Sequence, residues 1–153
     1  MGIEIERKFL VRGAVPEGEC SRIVQAYLCL DPERTVRIRI DSESAFITVK
    51  GATVGASRSE FEYAIPIEDA AELLKLCVGK PIEKVRHRVA MGPHLWEIDV
   101  FGGANAGLVV AEIELASESE MFDRPGWLGE EVTSDSRYLN ACLAQNPYES
   151  WGS

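Results

Sequence analysis

Apolar and charged residues alternate strictly in the first strand-like segment of the chain. Within residues 3–8, Ile3 and Ile5 share one face of a strand, while Glu4, Glu6 and Lys8 share the other. Taken alone, this pattern predicts a half-exposed edge strand, because charged outer faces are ordinary on antiparallel sheets. Whether the charged face meets solvent depends on the pattern in the other strands.

Similar patterns along the chain predict a mainly antiparallel α+β fold. The strand-like segments cover residues 3–11, 22–30, 34–41, 44–50, 58–66, 82–91, 94–101 and 108–116. Short polar connections between several of them are typical of hairpins. Helical spacing follows Pro66 and ends by Gly79, and a second helix is predicted from Ser134 or Asp135 to just before Pro147. Because we find no internal repeat or linker, we expect one domain over residues 1–153.

Seven of these strands carry charged residues on one face, mostly in doublets or triplets of one sign. The acidic members are Glu4, Glu6, Glu60, Glu62, Glu97, Asp99, Glu112 and Glu114. The basic members are Lys8, Arg37, Arg39, Lys50, Lys84, Arg86 and Arg88. We therefore expect the eight strands to close into a tunnel-like barrel with these fifteen residues in a charged lumen. Flanking helices, other segments or a partner chain would cover the apolar outer face, and a homodimer is one such arrangement.

Composition and charge narrow the class of protein. The chain has 153 residues, 46% of them hydrophobic, which suits a globular domain with a substantial core. Lys and Arg total 16 against 25 Asp and Glu, so the net charge of −9 argues against a broad basic surface for nucleic acid or anionic lipid. No apolar run approaches the roughly 18 residues needed to span a bilayer. We expect no nucleic-acid partner and no membrane insertion.

The four cysteines are scattered and form no CxxC pair. Apolar residues surround most of them and no signal peptide precedes them, so they predict reduced core thiols in a cytoplasmic protein. They are Cys20, Cys29, Cys77 and Cys142.

The predicted lumen holds seven bases and eight acids, so its own charge is close to neutral. Gathering like charges in an enclosed space costs free energy unless opposite charges or a bound ion offset the repulsion. Carboxylate oxygens favour hard divalent cations such as Mg²⁺ or Mn²⁺, and bound cations would make the lumen positive. Arginine forks and lysine point charges would then suit a linear polyphosphate, a small-molecule substrate.

The ordered motifs also carry a family resemblance. Residues 4–8, EIERK, match the ExExK signature of the CYTH superfamily, the triphosphate tunnel metalloenzymes. The chain resembles their short bacterial branch, the inorganic triphosphatases, and this resemblance implies an eight-stranded tunnel that depends on Mg²⁺ or Mn²⁺. It also implies hydrolysis of a triphosphate such as tripolyphosphate to diphosphate and phosphate. The other matching stretches are VQAYL around Tyr27, RIR at 37–39, Lys50, EFEY at 60–63, KVR at 84–86, EIDVF at 97–101 and GLVVAEIEL at 107–115.

The resemblance implies a role for each matching residue. The metal-binding carboxylates would be Glu4, Glu6, Asp99, Glu112 and Glu114. The phosphate-binding cations would be Lys8, Arg37, Arg39, Lys84 and Arg86. A Lys50–Tyr27 dyad would activate the attacking water, while Glu60 and Glu62 would orient water, contact metal or hold an arginine. Arg88, just outside the KVR stretch, and Glu97, at the edge of EIDVF, share the charged faces of their strands, so each is either structural or part of the site.

Two other interpretations of function stay open. The first is a nucleoside or thiamine triphosphatase, or an adenylate cyclase, of the same fold, and the second is a noncatalytic polyphosphate-binding module. A nucleotide enzyme needs a stacking site for its base, and the sequence shows no dedicated one. The thiamine triphosphatases of this superfamily use a C-terminal lysine, whereas no lysine follows Lys84 in this chain.

Three features that suggest chemistry are interpreted as structural. His87 alternates with Arg86 and Arg88, so it should face outward, and His94 lies at a turn. The glycine-containing stretch at 101–107 predicts a hairpin loop, because no helical pattern follows it as a dinucleotide site requires.

Overall fold

The computed structural model describes residues 2–152, which form nine β-strands, two α-helices and three short 3₁₀ turns. The strands are β1 (Ile3–Val11), β2 (Glu19–Cys29), β3 (Arg34–Asp41), β4 (Ser44–Gly51), β5 (Ser57–Ile65), β6 (Val78–Met91), β7 (His94–Phe101), β8 (Val109–Glu114) and β9 (Leu128–Glu131). The helices are α1 (Ile67–Leu74) and α2 (Asn140–Gln145), and the 3₁₀ turns cover Gly103–Asn105, Ser136–Tyr138 and Tyr148–Ser150. All eight predicted strands are present, although β2 and β6 begin earlier than predicted.

The first eight strands close into an antiparallel barrel. Hydrogen-bonded neighbours follow the order β1-β5-β4-β3-β2-β6-β7-β8, and β8 pairs back with β1. At one seam Ile3 of β1 lies opposite Ser59 of β5, and at the other Lys8 lies opposite Glu112 of β8. Closure removes the free edges of the sheet, so the alternating side chains of each strand point either into the lumen or outward. The predicted α+β barrel is confirmed.

Apolar clusters cover the outside of the barrel, as the alternation predicted. Trp96 is fully buried beneath the segment that follows β8. Ile82 of β6 packs in one cluster with Leu143 of α2, and Ile38 of β3 packs with Ala70 of α1. Helix α1 and this irregular segment therefore cover the apolar outer face of the barrel. Ile82 shares its face of β6 with Lys84, so α2 packs instead against apolar residues of the inner face at one end of the lumen.

The C-terminal third differs from the sequence-based expectation. The short strand β9 was not predicted, and it pairs with the end of β1 through Phe9 opposite Glu131. The second helix begins at Asn140, because Asp135 caps the 3₁₀ turn at Ser136–Tyr138 and Leu139 is extended with ψ 136°. A strand of four residues is too short to show a periodic pattern, and a capping residue does not reveal how long its helix will be.

The cysteines differ from the predicted core thiols. All four are free, but Cys20 is exposed and the other three are only partly buried. Cys20 lies in the early part of β2, which the sequence pattern placed outside the strand.

The two histidines and the glycine-containing stretch, which were interpreted as structural, lie as predicted. His87 is half-buried and is not part of the lumen wall, and His94 at the start of β7 lies with Nε2 2.5 Å from Glu120 Oε2. The glycine-containing stretch forms the 3₁₀ turn Gly103–Asn105 in the hairpin between β7 and β8. Within residues 2–152, no helix is both long and apolar enough to cross a membrane.

Candidate active site in the barrel lumen

The lumen is a polar cavity of about 190 Å³. Thirteen of the fifteen charged residues predicted to face it line its wall, and Arg88 and Asp99 do not. The wall also contains six residues that were not among the predicted charges: Tyr27, Thr35, Arg58, Leu139, Asn140 and Ala141. The alternation along the strands therefore brings charged residues from seven strands together around one small space.

Asp99 shares the inner face of β7 with Glu97 but does not border the cavity, and there it anchors two cations. Its carboxylate is fully buried and accepts hydrogen bonds from Arg86 Nε at 2.8 Å and Arg86 Nη2 at 3.0 Å, and lies 2.8 Å from Lys84 Nζ. Burial alone would raise the pKa of Asp99, but Lys84 and Arg86 hold it well below its usual range. These contacts favour an anchoring role over the metal-binding role that the resemblance implied.

Arg88 and Glu97, the two undecided residues, lie in different surroundings. Arg88 donates to Asp41 Oδ2 at 3.0 Å and to Ser21 Oγ at 2.9 Å, away from the cavity. Glu97 does line the cavity, and its Oε2 lies 3.3 Å from Arg86 Nη1. The contacts of Arg88 are therefore structural ones, whereas Glu97 is part of the lumen wall and so of the candidate site.

One wall of the lumen has a surplus of positive charge. Arg37 Nη2 lies 3.4 Å from Glu62 and 3.2 Å from Thr48, while its buried Nε has no partner among the described residues. Arg39 Nε donates to the neutral Gln25 Oε1 at 3.3 Å, and within residues 2–152 no carboxylate forms an ion pair with it. Burial and the nearby guanidinium groups of Arg37 and Arg86 lower the pKa of Arg39 to about 10.

Lys84 shares this positive environment. The side chain is almost fully buried beside Asp99. Burial lowers the pKa of Lys84 to about 7; Arg86 and Arg39 act in the same direction, while Asp99 opposes them. Buried cations that repel one another gain stability when an anion enters, so this wall is suited to binding a polyanion.

The opposite wall carries a surplus of carboxylates from β1 and β8. Glu6 lies opposite Glu114 in the strand register, two residues before the Lys8–Glu112 pair. Burial and the charges of Glu112 and Glu4 raise the pKa of Glu6 to about 8, although Lys8 Nζ lies 3.9 Å away. Glu112 shows the opposite effect: burial alone would raise its pKa, but Lys8, Arg86 and Lys84 together lower it to about 2.

These carboxylates fit a hard divalent cation by donor type and by charge. Their oxygens are the ligands that Mg²⁺ and Mn²⁺ prefer, and a cation would favour ionisation of Glu6, whose pKa burial and the charges of Glu112 and Glu4 raise. Among residues 2–152, no three His, Cys, Asp or Glu side chains are already gathered into a metal-binding group. The lysines Lys8 and Lys50 lie among the carboxylates instead.

Lys50 and Tyr27 both line the cavity, but they have different partners. Lys50 Nζ donates to Glu4 Oε1 at 3.0 Å and lies 3.4 Å from Glu60 Oε2. Tyr27 is 4% exposed and packs in the apolar cluster that contains Leu143 of α2. Within the described chain no hydrogen bond joins Tyr27 to Lys50, so their action as a dyad stays a prediction.

Glu60 and Glu62 hold other side chains in place. Glu60 forms the ion pair with Lys50, and Glu62 accepts a hydrogen bond from Thr48 Oγ1 at 2.8 Å besides its contact with Arg37. These contacts are the ones expected if Glu62 holds an arginine, Arg37, in place. Glu60 holds a lysine, Lys50, in the same way.

Two parts of the wall were missed in the sequence analysis. Arg58 precedes Glu60 by two residues on β5, so strand alternation would have placed it in the lumen, and its Nε donates to the Gly51 carbonyl at 3.2 Å. Residues 139–141 lie where α2 begins and border the cavity through Asn140 and its neighbours. No alternating pattern marks this second part, because it lies outside the strands.

A closed antiparallel barrel with opposed acidic and basic walls defines a tunnel-shaped protein built to bind charged ligands. The CYTH domain family matches residues 2–145, and the chain belongs to that family. It is 44% identical over 154 residues to an inorganic triphosphatase of Acetivibrio thermocellus, covering 99% of both chains. It is 37% identical over 147 residues to an inorganic triphosphatase of Nitrosomonas europaea, covering 92% and 96%. A crystal structure of an inorganic triphosphatase matches with TM-score 0.66 and 35% identity, covering 92% of this chain and 96% of the other.

Proposed function

We propose that this protein is a metal-dependent inorganic triphosphatase that hydrolyses tripolyphosphate to diphosphate and phosphate inside the lumen. The observation that carries the proposal is Arg39, a half-buried cation beside Arg37 and Arg86 whose one side-chain partner within residues 2–152 is a neutral amide. A polyanion is the ligand that best offsets such a group of cations. Two relatives of nearly the same length that are named inorganic triphosphatases support the same activity.

Each wall has its own part in this proposal. Lys8, Arg37, Arg39, Lys84 and Arg86 would bind the phosphoryl oxygens, with Asp99 fixing the last two cations. Glu4, Glu6, Glu112 and Glu114 would hold Mg²⁺ or Mn²⁺, which supplies charge neutralisation on the phosphoryl oxygens when bound. Lys50 and Tyr27 would activate the water, as the resemblance implies.

The size and lining of the cavity favour inorganic substrate over nucleotide. Its volume of about 190 Å³ is below the roughly 300–1,000 Å³ of pockets that enclose drug-sized ligands. The aromatic side chain in the described lining is Tyr27, which is packed into the core and offers no open face for stacking a base. A nucleoside or thiamine moiety would therefore have to remain outside the lumen.

A hydrolysis panel tests the proposal. The purified protein is assayed with tripolyphosphate, ATP, thiamine triphosphate and long-chain polyphosphate, each with Mg²⁺, Mn²⁺ or a chelator. We expect kcat/KM for tripolyphosphate to exceed the values for the other substrates, and activity to vanish with the chelator. Comparable values for ATP would favour the nucleotide alternative, and tight binding without turnover would favour the polyphosphate-binding module.

A further inference from the structure

A chain of neutral amides connects two cations of the basic wall. Gln25 of β2 is fully buried, and β2 lies between β3, which carries Arg39, and β6, which carries Lys84. Gln25 Oε1 accepts a hydrogen bond from Arg39 Nε at 3.3 Å, and Gln25 Nε2 donates to Asn140 Oδ1 at 2.9 Å. The same Asn140 oxygen accepts a second hydrogen bond from Lys84 Nζ at 2.9 Å.

Neutral acceptors suit this position better than carboxylates would. Arg39 and Lys84 are like charges that repel each other, and each has a long side chain with many rotamers. A carboxylate between them would fix both but would also cancel the positive charge that an anion needs. Lys84 is already paired with Asp99, so the amide oxygens fix the two side chains by hydrogen bonding without adding a further negative charge.

We propose that Asn140 is a positioning residue that holds Lys84 directly, and Arg39 through Gln25, in the arrangement that binds the polyphosphate. The inference rests on the proposed function. It assigns part of the phosphate-binding geometry to the first residue of α2, which lies 56 residues beyond Lys84 in the chain.

The test compares Asn140→Ala with a matched control in the same helix. Gln145→Ala also removes an amide from α2, but Gln145 is exposed and does not line the cavity. Tripolyphosphate binding is measured by calorimetry with a chelator present, and KM and kcat are measured with Mg²⁺. We expect Asn140→Ala to raise both Kd and KM about tenfold with kcat changed little, and Gln145→Ala to match the parent. A general loss of structure would instead lower kcat and the circular dichroism signal.

Two double variants separate positioning from direct contact with substrate. In Arg39→Ala or Lys84→Ala backgrounds one branch of the network is already lost, so the Asn140→Ala effect on Kd should fall from about tenfold to roughly threefold. An undiminished effect in both backgrounds, or no effect in the parent background, would overturn the inference. A parent protein that binds tripolyphosphate without cleaving it would overturn only the proposed activity. A parent that does not bind it would overturn both.

Discussion

Replacing Glu6 with glutamine should stabilise the metal-free protein, and the gain should grow with pH. Burial and the neighbouring carboxylates of Glu112 and Glu4 raise the pKa of Glu6 from 4.5 to about 8. Below pH 4.5 the folded and unfolded states both keep the proton. Between pH 4.5 and 8 the unfolded state releases it while the folded state holds it, so the parent loses stability as pH rises. The neutral amide introduced by the substitution does not titrate, so the variant is free of this loss.

The magnitude follows from the separation of the two pKa values. A difference from 4.5 to about 8 corresponds to roughly 5 kcal/mol at ~1.36 kcal/mol per pKa unit. The side chain of Glu6 is 19% exposed, so solvent screening and relaxation reduce this value, and we take about half. Glu6→Gln should therefore be more stable than the parent by about 2–3 kcal/mol near pH 9, and by less than ~1 kcal/mol near pH 5.

The assay is urea denaturation with a chelator at both pH values. Glu68→Gln in α1 is the matched control, because Glu68 is exposed on the outer surface and forms no ion pair among the described residues. Adding Mg²⁺ or Mn²⁺ near pH 9 should then stabilise the parent more than Glu6→Gln, since the proposed metal ligand is lost in the variant. Equal stability of parent and variant at both pH values would refute the carboxylate repulsion inferred for this wall.

Three further perturbations test other parts of the structure. Glu114→Ala should abolish metal-dependent hydrolysis and leave the thermal unfolding curve unchanged or shifted upward; normal turnover at saturating Mg²⁺ would make Glu114 structural. Tyr27→Phe should lower kcat more than it changes KM, and Lys50→Ala should lower kcat as well; parent-like rates and pH profiles for both would exclude the dyad. Trp96→Ala should lower the free energy of unfolding by about 3–5 kcal/mol in chemical denaturation, because the indole is fully buried; a loss below ~1 kcal/mol would contradict its place in the core.

The barrel could be predicted because strand alternation is a strong constraint. A shift of one residue in any strand would exchange its apolar and charged faces, so Arg37 and Arg39 on β3 could only share the lumen with Glu60 and Glu62 on β5. The same argument would have found Arg58, which has the same parity on β5. The alternation of side chains shows which face of the sheet a residue lies on, even where the ends of its strand are not known exactly.

The alternation does not show how deep in the barrel a side chain lies, or which contacts the residues outside the strands make. Asp99 and Glu97 share one face of β7, yet Asp99 is fully buried and Glu97 borders the cavity. Arg88 has the same parity as Arg86 but reaches Asp41 beyond the cavity. Asn140 lies at a helix start after an irregular segment, where no periodic pattern exists. These positions depend on strand tilt and on packing between distant segments.

The contacts within the two walls explain how the lumen can hold charged groups that opposite charges do not fully compensate. Asp99 binds two cations, yet one carboxylate cannot neutralise both, and the amide of Gln25 fixes Arg39 without neutralising it. On the opposite wall burial and the charges of Glu112 and Glu4 disfavour ionisation of Glu6, and Lys8 offsets them only in part. An anion on the first wall and a cation on the second would each relieve repulsion that the fold leaves in place. Because the two ligands also attract each other, binding of one must strengthen binding of the other, which is the behaviour expected for a metal-bound polyphosphate.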